Sequence, residues 1–283
     1  MSTQNTIAPA DDLSRDQGSW IFDADGHVVE PGDMWSSHLP ARFASYAPTV
    51  LQREDHFRFV CNDRIGFRIQ GRNESLGAPG QTPHKVGIPV AARGGTDPVA
   101  RLEDMAVDHI ATAALYPTWG LMIQGVTERA PALALARAVN DWLAEYCASD
   151  PVHLIGVATL PMTDAADALE EARRCVEQFG FRGVWRRPEQ LAGLSRPDDE
   201  EYEPLWSFLE EADVAMAVHP GLNGVVPADE LRKRYRDDYS AMHAVHFVTE
   251  QIMALTSFVA GGILERHPRL RVAFLESGAT WAH

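Results

Sequence analysis

Asp25 and His27 stand two residues apart in FDADGHVVEP, residues 22–31, directly after apolar residues. At that spacing a carboxylate and an imidazole share one face of an extended strand, and Asp23 falls deeper on the same face. Burying such groups is costly unless solvent, a salt-bridge network or a metal ion pairs with them. His219 follows another apolar run, VAMAV at 214–218. Singly, each has an ordinary explanation, Asp25 as a cap and His27 or His219 as a satisfied histidine. Together they offer one oxygen and two nitrogens, a donor set that suits one divalent ion, zinc or manganese. Glu276, in RVAFLES at 271–277, is either a structural carboxylate paired with an arginine or a catalytic acid or base.

Further candidates could contact a substrate. Arg186 and Arg187 stand together in RGVWRRP, and strand alternation allows only one of them to face a pocket; Arg187 is taken as that one. Trp119 and Tyr116 follow one apolar segment, and both residue types also serve as packing. His243 and His246 lie on a long helical stretch, with His246 placed toward the rim. His109, His153 and His267 read as surface or packing residues.

These residues need elements to position them. The segments 20–25, 112–118, 153–161, 182–188, 214–220 and 271–277 read as six strands, most of them continuous apolar runs. Helices are expected at 98–110, with Asp97 as cap and Pro98 behind it, at 130–148, and at 164–180, closed by Gly180. Two more are expected at 202–212 and from 241 to Pro268. Alternating buried strands and helices indicate a parallel sheet covered by helices. No GxGxxG follows the first strand, so a dinucleotide-binding fold is disfavoured and a (β/α) barrel favoured. In a barrel, functional groups sit at the C-terminal ends of strands. Asp25 and His27 end the first, His219 ends the fifth above Ala215 and Ala217, and Glu276 ends the sixth above Phe274 and Val272.

Residues 1–18 read as a disordered tail and 19–283 as a single barrel domain. The interval 28–97 holds a hairpin pattern at 56–71, with a turn near Asn62–Asp63, then a Gly/Pro-rich stretch. Its place after the first strand predicts a lid-like insertion over the catalytic face. A charged insertion at 221–240 is expected on the same rim.

The chain has 283 residues, 45% of them hydrophobic, and a formal net charge of −15. That charge argues against nucleic acid and against an anionic membrane surface as partners. An anionic small substrate stays open, because a local site can differ in sign from the whole. Three cysteines without a CxxC, no secretory leader pattern and no apolar run of membrane-spanning length point to a cytoplasmic protein.

Four stretches, FDADGHVVEP, LIGVATLP with GFRGVWRRP, VAMAVHPG and GGILERHPRLRVAFLESG, resemble the amidohydrolase-related (amidohydrolase 2) family of the amidohydrolase superfamily. That group includes aminocarboxymuconate-semialdehyde and resorcylate-type decarboxylases. The resemblance implies a metal-dependent (β/α)8 TIM barrel with Asp25, His27 and His219 as ligands. It implies a decarboxylase or hydrolase of a small carboxylated, aromatic or ring-derived substrate, and a homodimer in the full-length form. Glu276 stands where the decarboxylases carry a proton-handling histidine. The family's last metal ligand is an aspartate after the eighth strand, whereas this sequence runs to His283, just past the sixth. The expectation is therefore a barrel truncated after the sixth strand. The alternative is a non-catalytic or degenerate barrel fragment that binds a partner chain.

Overall fold

A computed structural model of the chain describes residues 21–52, 56–61, 64–70, 93–188, 194–220, 234–235 and 239–282. The expected tail, the hairpin turn at 62–63, the Gly/Pro-rich stretch and most of the 221–240 insertion lie outside the described residues.

Strand β1 (Ile21–Val28) leads through a short helix, α1 (Met34–His38), into β2 (Thr49–Gln52), β3 (His56–Cys61) and β4 (Arg64–Gln70). These last three form an antiparallel sheet of their own, in which Cys61 faces Arg64 across the expected two-residue connection. The alternation of β3 and β4 was legible in the sequence; β2, which pairs with β3, was not.

The βα rhythm then begins with α2 (Pro98–Val107) and β5 (Ile110–Pro117). Next come α3 (Arg129–Cys147), β6 (Leu154–Thr159), α4 (Ala165–Phe179), β7 (Gly183–Arg186), α5 (Glu203–Glu211) and β8 (Ala215–Val218). Two helices, α6 (Tyr239–Ala260) and α7 (Ile263–Arg266), precede the last strand, β9 (Val272–Phe274). Local chemistry explains the boundaries. The Asp97 carboxylate accepts the Val99 and Ala100 N–H groups with Pro98 behind it, and Asp164 accepts from Asp167. Gly180 closes α4 in the left-handed conformation. One expectation needs correction: the helix from 241 to Pro268 is not continuous. It breaks at Gly261–Gly262, where a Cβ on Gly261 would fall 2.4 Å from the Asp198 Cβ.

The six long-range strands pair in parallel in the order β1-β5-β6-β7-β8-β9, the curled arc of a (β/α) barrel. Alternate residues bury on opposite sides. Ala113, Leu115, Leu154, Ala158, Val184, Met216 and Val218 join the main core beneath the helices, with Leu143, Trp206 and Phe258. Ala114, Tyr116, Val157, Trp185 and Ala217 form a second, inner cluster. This double burial is why the strands read as unbroken apolar runs. Among the described residues no helix is long and apolar enough to cross a membrane, and Cys147 and Cys175 are buried free thiols.

Candidate metal centre

The inner face carries the chemistry at its C-terminal rim. His219 follows Val218, two residues beyond inward-facing Ala217, and is sealed at 1% side-chain exposure. His27 pairs in register with Tyr116 of β5, and its ring packs near both Tyr116 and His219. Tyr116 and Trp185 back the His219 ring at centroid distances of 5.3 and 6.1 Å.

Both imidazoles are oriented by backbone. His219 Nδ1 lies 2.7 Å from the Pro220 carbonyl and His27 Nδ1 lies 3.2 Å from the Pro117 carbonyl. A carbonyl only accepts, so each Nδ1 carries the hydrogen and each Nε2 is the free nitrogen of the neutral ring. The two Nε2 atoms face each other at 3.1 Å. Asp25 Oδ1 completes the group, 3.2 Å from His219 Nε2 and 3.9 Å from His27 Nε2. Among the described residues, Asp25, His27 and His219 are the one set of three His, Cys, Asp or Glu side chains whose ligand atoms converge within 4.8 Å.

Three lone-pair donors aimed at one point repel unless a cation or a proton lies between them. Electrostatics of the bare site follow. Burial and then the charge of His219 push His27 down to about 4, against the pull of Asp25. Burial also works against charge on His219, but the hydrogen bond and charge of Asp25, with help from Glu276, hold it above the ordinary histidine value. Of the two rings, His219 beside Asp25 is the one that takes a proton more readily. A divalent ion would replace that proton and satisfy all three donors, so the residues present fit one.

Supporting groups surround the triad. Between Asp23 and Gly26 β1 carries one residue more than β5 opposite it, so the strict two-residue alternation is broken. The Asp23 carboxylate accordingly accepts the Asp25 N–H at 3.1 Å and approaches Arg101 of α2 at 3.8 Å. It supports the triad from behind rather than beside it. Arg101 also donates to the His27 carbonyl at 3.1 Å. Glu30 is buried and accepts the N–H groups of Thr118, Trp119 and Gly120, tying the end of β1 to the loop after β5. Its burial pushes its carboxyl up, while the three N–H donors pull it down. Away from the triad, at strand ends that carry none of its members, Gln124 donates to the carbonyls of Leu160 and Trp185 and accepts the Arg187 N–H. Sequence reasoning missed Arg101, Glu30 and Gln124. The one available signal was a carboxylate in the apolar context HVVEP.

The remaining candidates are placed as follows. Phe274 and Val272 pack toward the helices, so the expected stack beneath Glu276 is incorrect; Leu275 is the residue that meets the inner cluster. Glu276 adopts φ +57°, and this turn at the strand end redirects the chain after Leu275. Its side chain is exposed, and its charge acts on His219. Arg186 and Arg187 are both buried; Arg186 Nε donates to the Arg187 carbonyl. Arg186 lines a cavity of about 100 Å³ with Val218, Ala254 and Phe258, on the helix side of the sheet. The Trp119 ring packs against the main core. His246 sits 3.9 Å from Glu250 on α6 and stacks near Phe247. The His243 side chain lies outside the described residues.

The sequence model of the amidohydrolase family matches residues 22–283. Over 164 residues the chain is 32% identical to the gamma-resorcylate decarboxylase of Rhodococcus jostii, which covers 55% of this chain and 49% of that protein. The chain spans about half the length of the curated relatives it matches. An amidohydrolase structure from Mycobacterium avium subsp. paratuberculosis superposes with a TM-score of 0.72 at 22% identity, covering 89% of this chain and 71% of that chain. A dihydroxybenzoic acid decarboxylase from Polaromonas, solved with bound manganese and the inhibitor 2-nitroresorcinol, superposes with a TM-score of 0.56 at 19% identity. It covers 90% of this chain and 65% of that one. At these identities the two structures establish the fold.

Proposed function

The chain belongs to the amidohydrolase family, and from that premise we propose that it is a metal-dependent carboxy-lyase acting on a small aromatic or ring-derived carboxylate. The observation that carries the reading is the apposition of His27 Nε2 and His219 Nε2 at 3.1 Å, with Asp25 beside them. A surface meant only to bind a partner chain gains nothing from that arrangement, which favours an enzyme over a degenerate fragment. Asp25, His27 and His219 would hold the ion, manganese or zinc. When bound, it supplies positive charge that orients a carboxylate and lowers the barrier to reaction there.

The chain's own residues would do the rest. Arg187 is the assigned cation for the substrate carboxylate, and Trp119 and His246 the assigned walls. The 28–97 insertion would cover them and keep water out. Decarboxylation breaks the bond between the ring carbon and the carboxylate, CO2 departs, and the electron pair left on carbon takes a proton. Glu276 is the assigned donor, reloaded from solvent, to which it is exposed. Glu276 in place of the decarboxylases' histidine favours a second reading, hydrolysis, in which it accepts a proton from an attacking water. A homodimer and a cytoplasmic location complete the proposal.

The test is CO2 release from gamma-resorcylate and a panel of ring carboxylates, with manganese or zinc added, beside a panel of amides and esters. We expect metal-dependent CO2 release that His27→Ala and His219→Ala abolish. Hydrolysis without CO2 release would select the second reading, and failure to take up either metal would sink both.

A further inference from the structure

Gln251 is completely buried on α6, on the same helix face by spacing as buried Phe247, Ala254 and Phe258. Packing alone would be served there by leucine. Its amide nitrogen instead donates twice, to the Val218 carbonyl at 2.7 Å and to the Leu275 carbonyl at 2.9 Å. Val218 immediately precedes His219, and Leu275 immediately precedes Glu276. The parallel ladder between β8 and β9 ends at the Val218–Phe274 pair, with one further bond from Leu275 N–H to the Val218 carbonyl. The amide therefore acts where the backbone stops holding the two strand ends together.

Two carbonyl acceptors fix which end of the amide faces them, because a flipped amide would set oxygen against oxygen. That orientation leaves Gln251 Oε1 buried with no hydrogen-bond partner among the described residues. Gln124 makes the same kind of bridge between the ends of β6 and β7, yet its oxygen is satisfied by the Arg187 N–H. A buried oxygen left without a partner calls for a reason beyond packing.

We propose that Gln251 is a positioning residue: its amide nitrogen, bonded to the carbonyls before His219 and Glu276, sets the separation between a metal ligand and the acid–base carboxylate. The role rests on the metal-enzyme reading above. It acts through backbone, so its loss shifts both functional groups without removing either.

Gln251→Met keeps the volume and removes both donors; Gln124→Met is the matched control at a bridge that touches no ligand-bearing peptide. Both are measured in the whole chain for thermal midpoint without metal and for manganese and zinc affinity by competition with a chelating dye. We expect both to fold and only Gln251→Met to bind metal about tenfold or more weakly, the scale of a supporting-residue loss at a metal site. If Gln251→Met does not fold, Gln251→Leu, of similar bulk and without the donors, is read in its place. Parental affinity in the folded variant, or equal weakening in the control, overturns the role while leaving the metal reading intact. A parental chain that takes up neither metal overturns the metal reading itself, and the role with it.

Discussion

Glu171 and Asp25 are both carboxylates set among nitrogen-bearing side chains, one between α3 and α4, the other at the rim of the sheet. Around Glu171 every group has its complement. Its oxygens accept from Arg174, Arg137, Asn140 and the Cys175 thiol, and Arg174 reaches on to Asp141 and Arg137 to Glu170. Donors meet acceptors throughout. Around Asp25 the partners are two imidazoles whose available nitrogens are themselves acceptors. Exposure differs as well. The Glu171 side chain is fully buried, whereas Asp25 and His27 keep 29% and 30% exposure over a sealed His219. A buried carboxylate does not by itself mark a site. What separates a fastener from a ligand set is whether the surrounding hydrogen-bonding capacity closes without an added ion.

Removing each carboxylate should therefore fail in opposite ways. Glu171→Ala leaves Arg137 and Arg174 without their shared buried partner. It should cost roughly 3–5 kcal/mol of stability in urea unfolding, the usual penalty for breaking a buried ion pair from one side. Its metal affinity should stay within twofold of the parent. A loss below about 1 kcal/mol, or a linked fall in metal affinity, would break the distinction.

Acid should tell the two clusters apart next. His219 is held above the ordinary histidine value by Asp25, so acid loads a proton onto a nitrogen the ion needs, and an incoming ion must then displace it. Metal affinity should then fall as pH drops through the His219 value, approaching about tenfold per unit when one proton competes. Calorimetry in buffers of different ionisation enthalpy should show proton release on binding. His27, already pushed down to about 4, is neutral before the ion arrives and adds no proton until the solution is strongly acidic. Affinity that does not fall on acidification would contradict the competition between proton and ion at His219.

The cluster of Asp25, His27 and His219 was legible because its members stand at strand ends, where a polar residue interrupts an apolar run. The strands were legible because burial on both faces leaves no polar alternation to confuse with a surface strand. The groups that hold the ligands left little trace. Arg101 reaches His27 across 74 positions, Glu30 reaches Gly120 across 90, and Gln251 reaches Val218 across 33. Each is an ordinary residue of its own element, and only the tertiary fold assigns its partner. The geometric reason for singling out Glu276 does not hold. Counting alternate positions put it above Phe274, whereas its positive φ takes it out of that count.

Gly26 offers the mildest test of how the rim is held. A Cβ there would lie 2.6 Å from Arg101 Nη2 and 2.7 Å from Asp23 Oδ2, with Leu115 at 3.2 Å. The first two are ends of flexible side chains, so Gly26→Ala should push the Arg101–Asp23 pair apart rather than break the strand. The stability cost should be about 1–2 kcal/mol, the low side of overpacking. Arg101 also holds the His27 carbonyl, and Asp23 holds the Asp25 N–H, so the shift should reach both first-strand donors and leave His219 in place. Metal affinity should drop a few-fold, less than for a ligand and less than for Gln251→Met. Arg101→Met should give the same drop without the overpacking, and the double variant should add nothing further to it. Additive losses would mean that Gly26 acts on the strand directly, and that the arginine is one more surface cation.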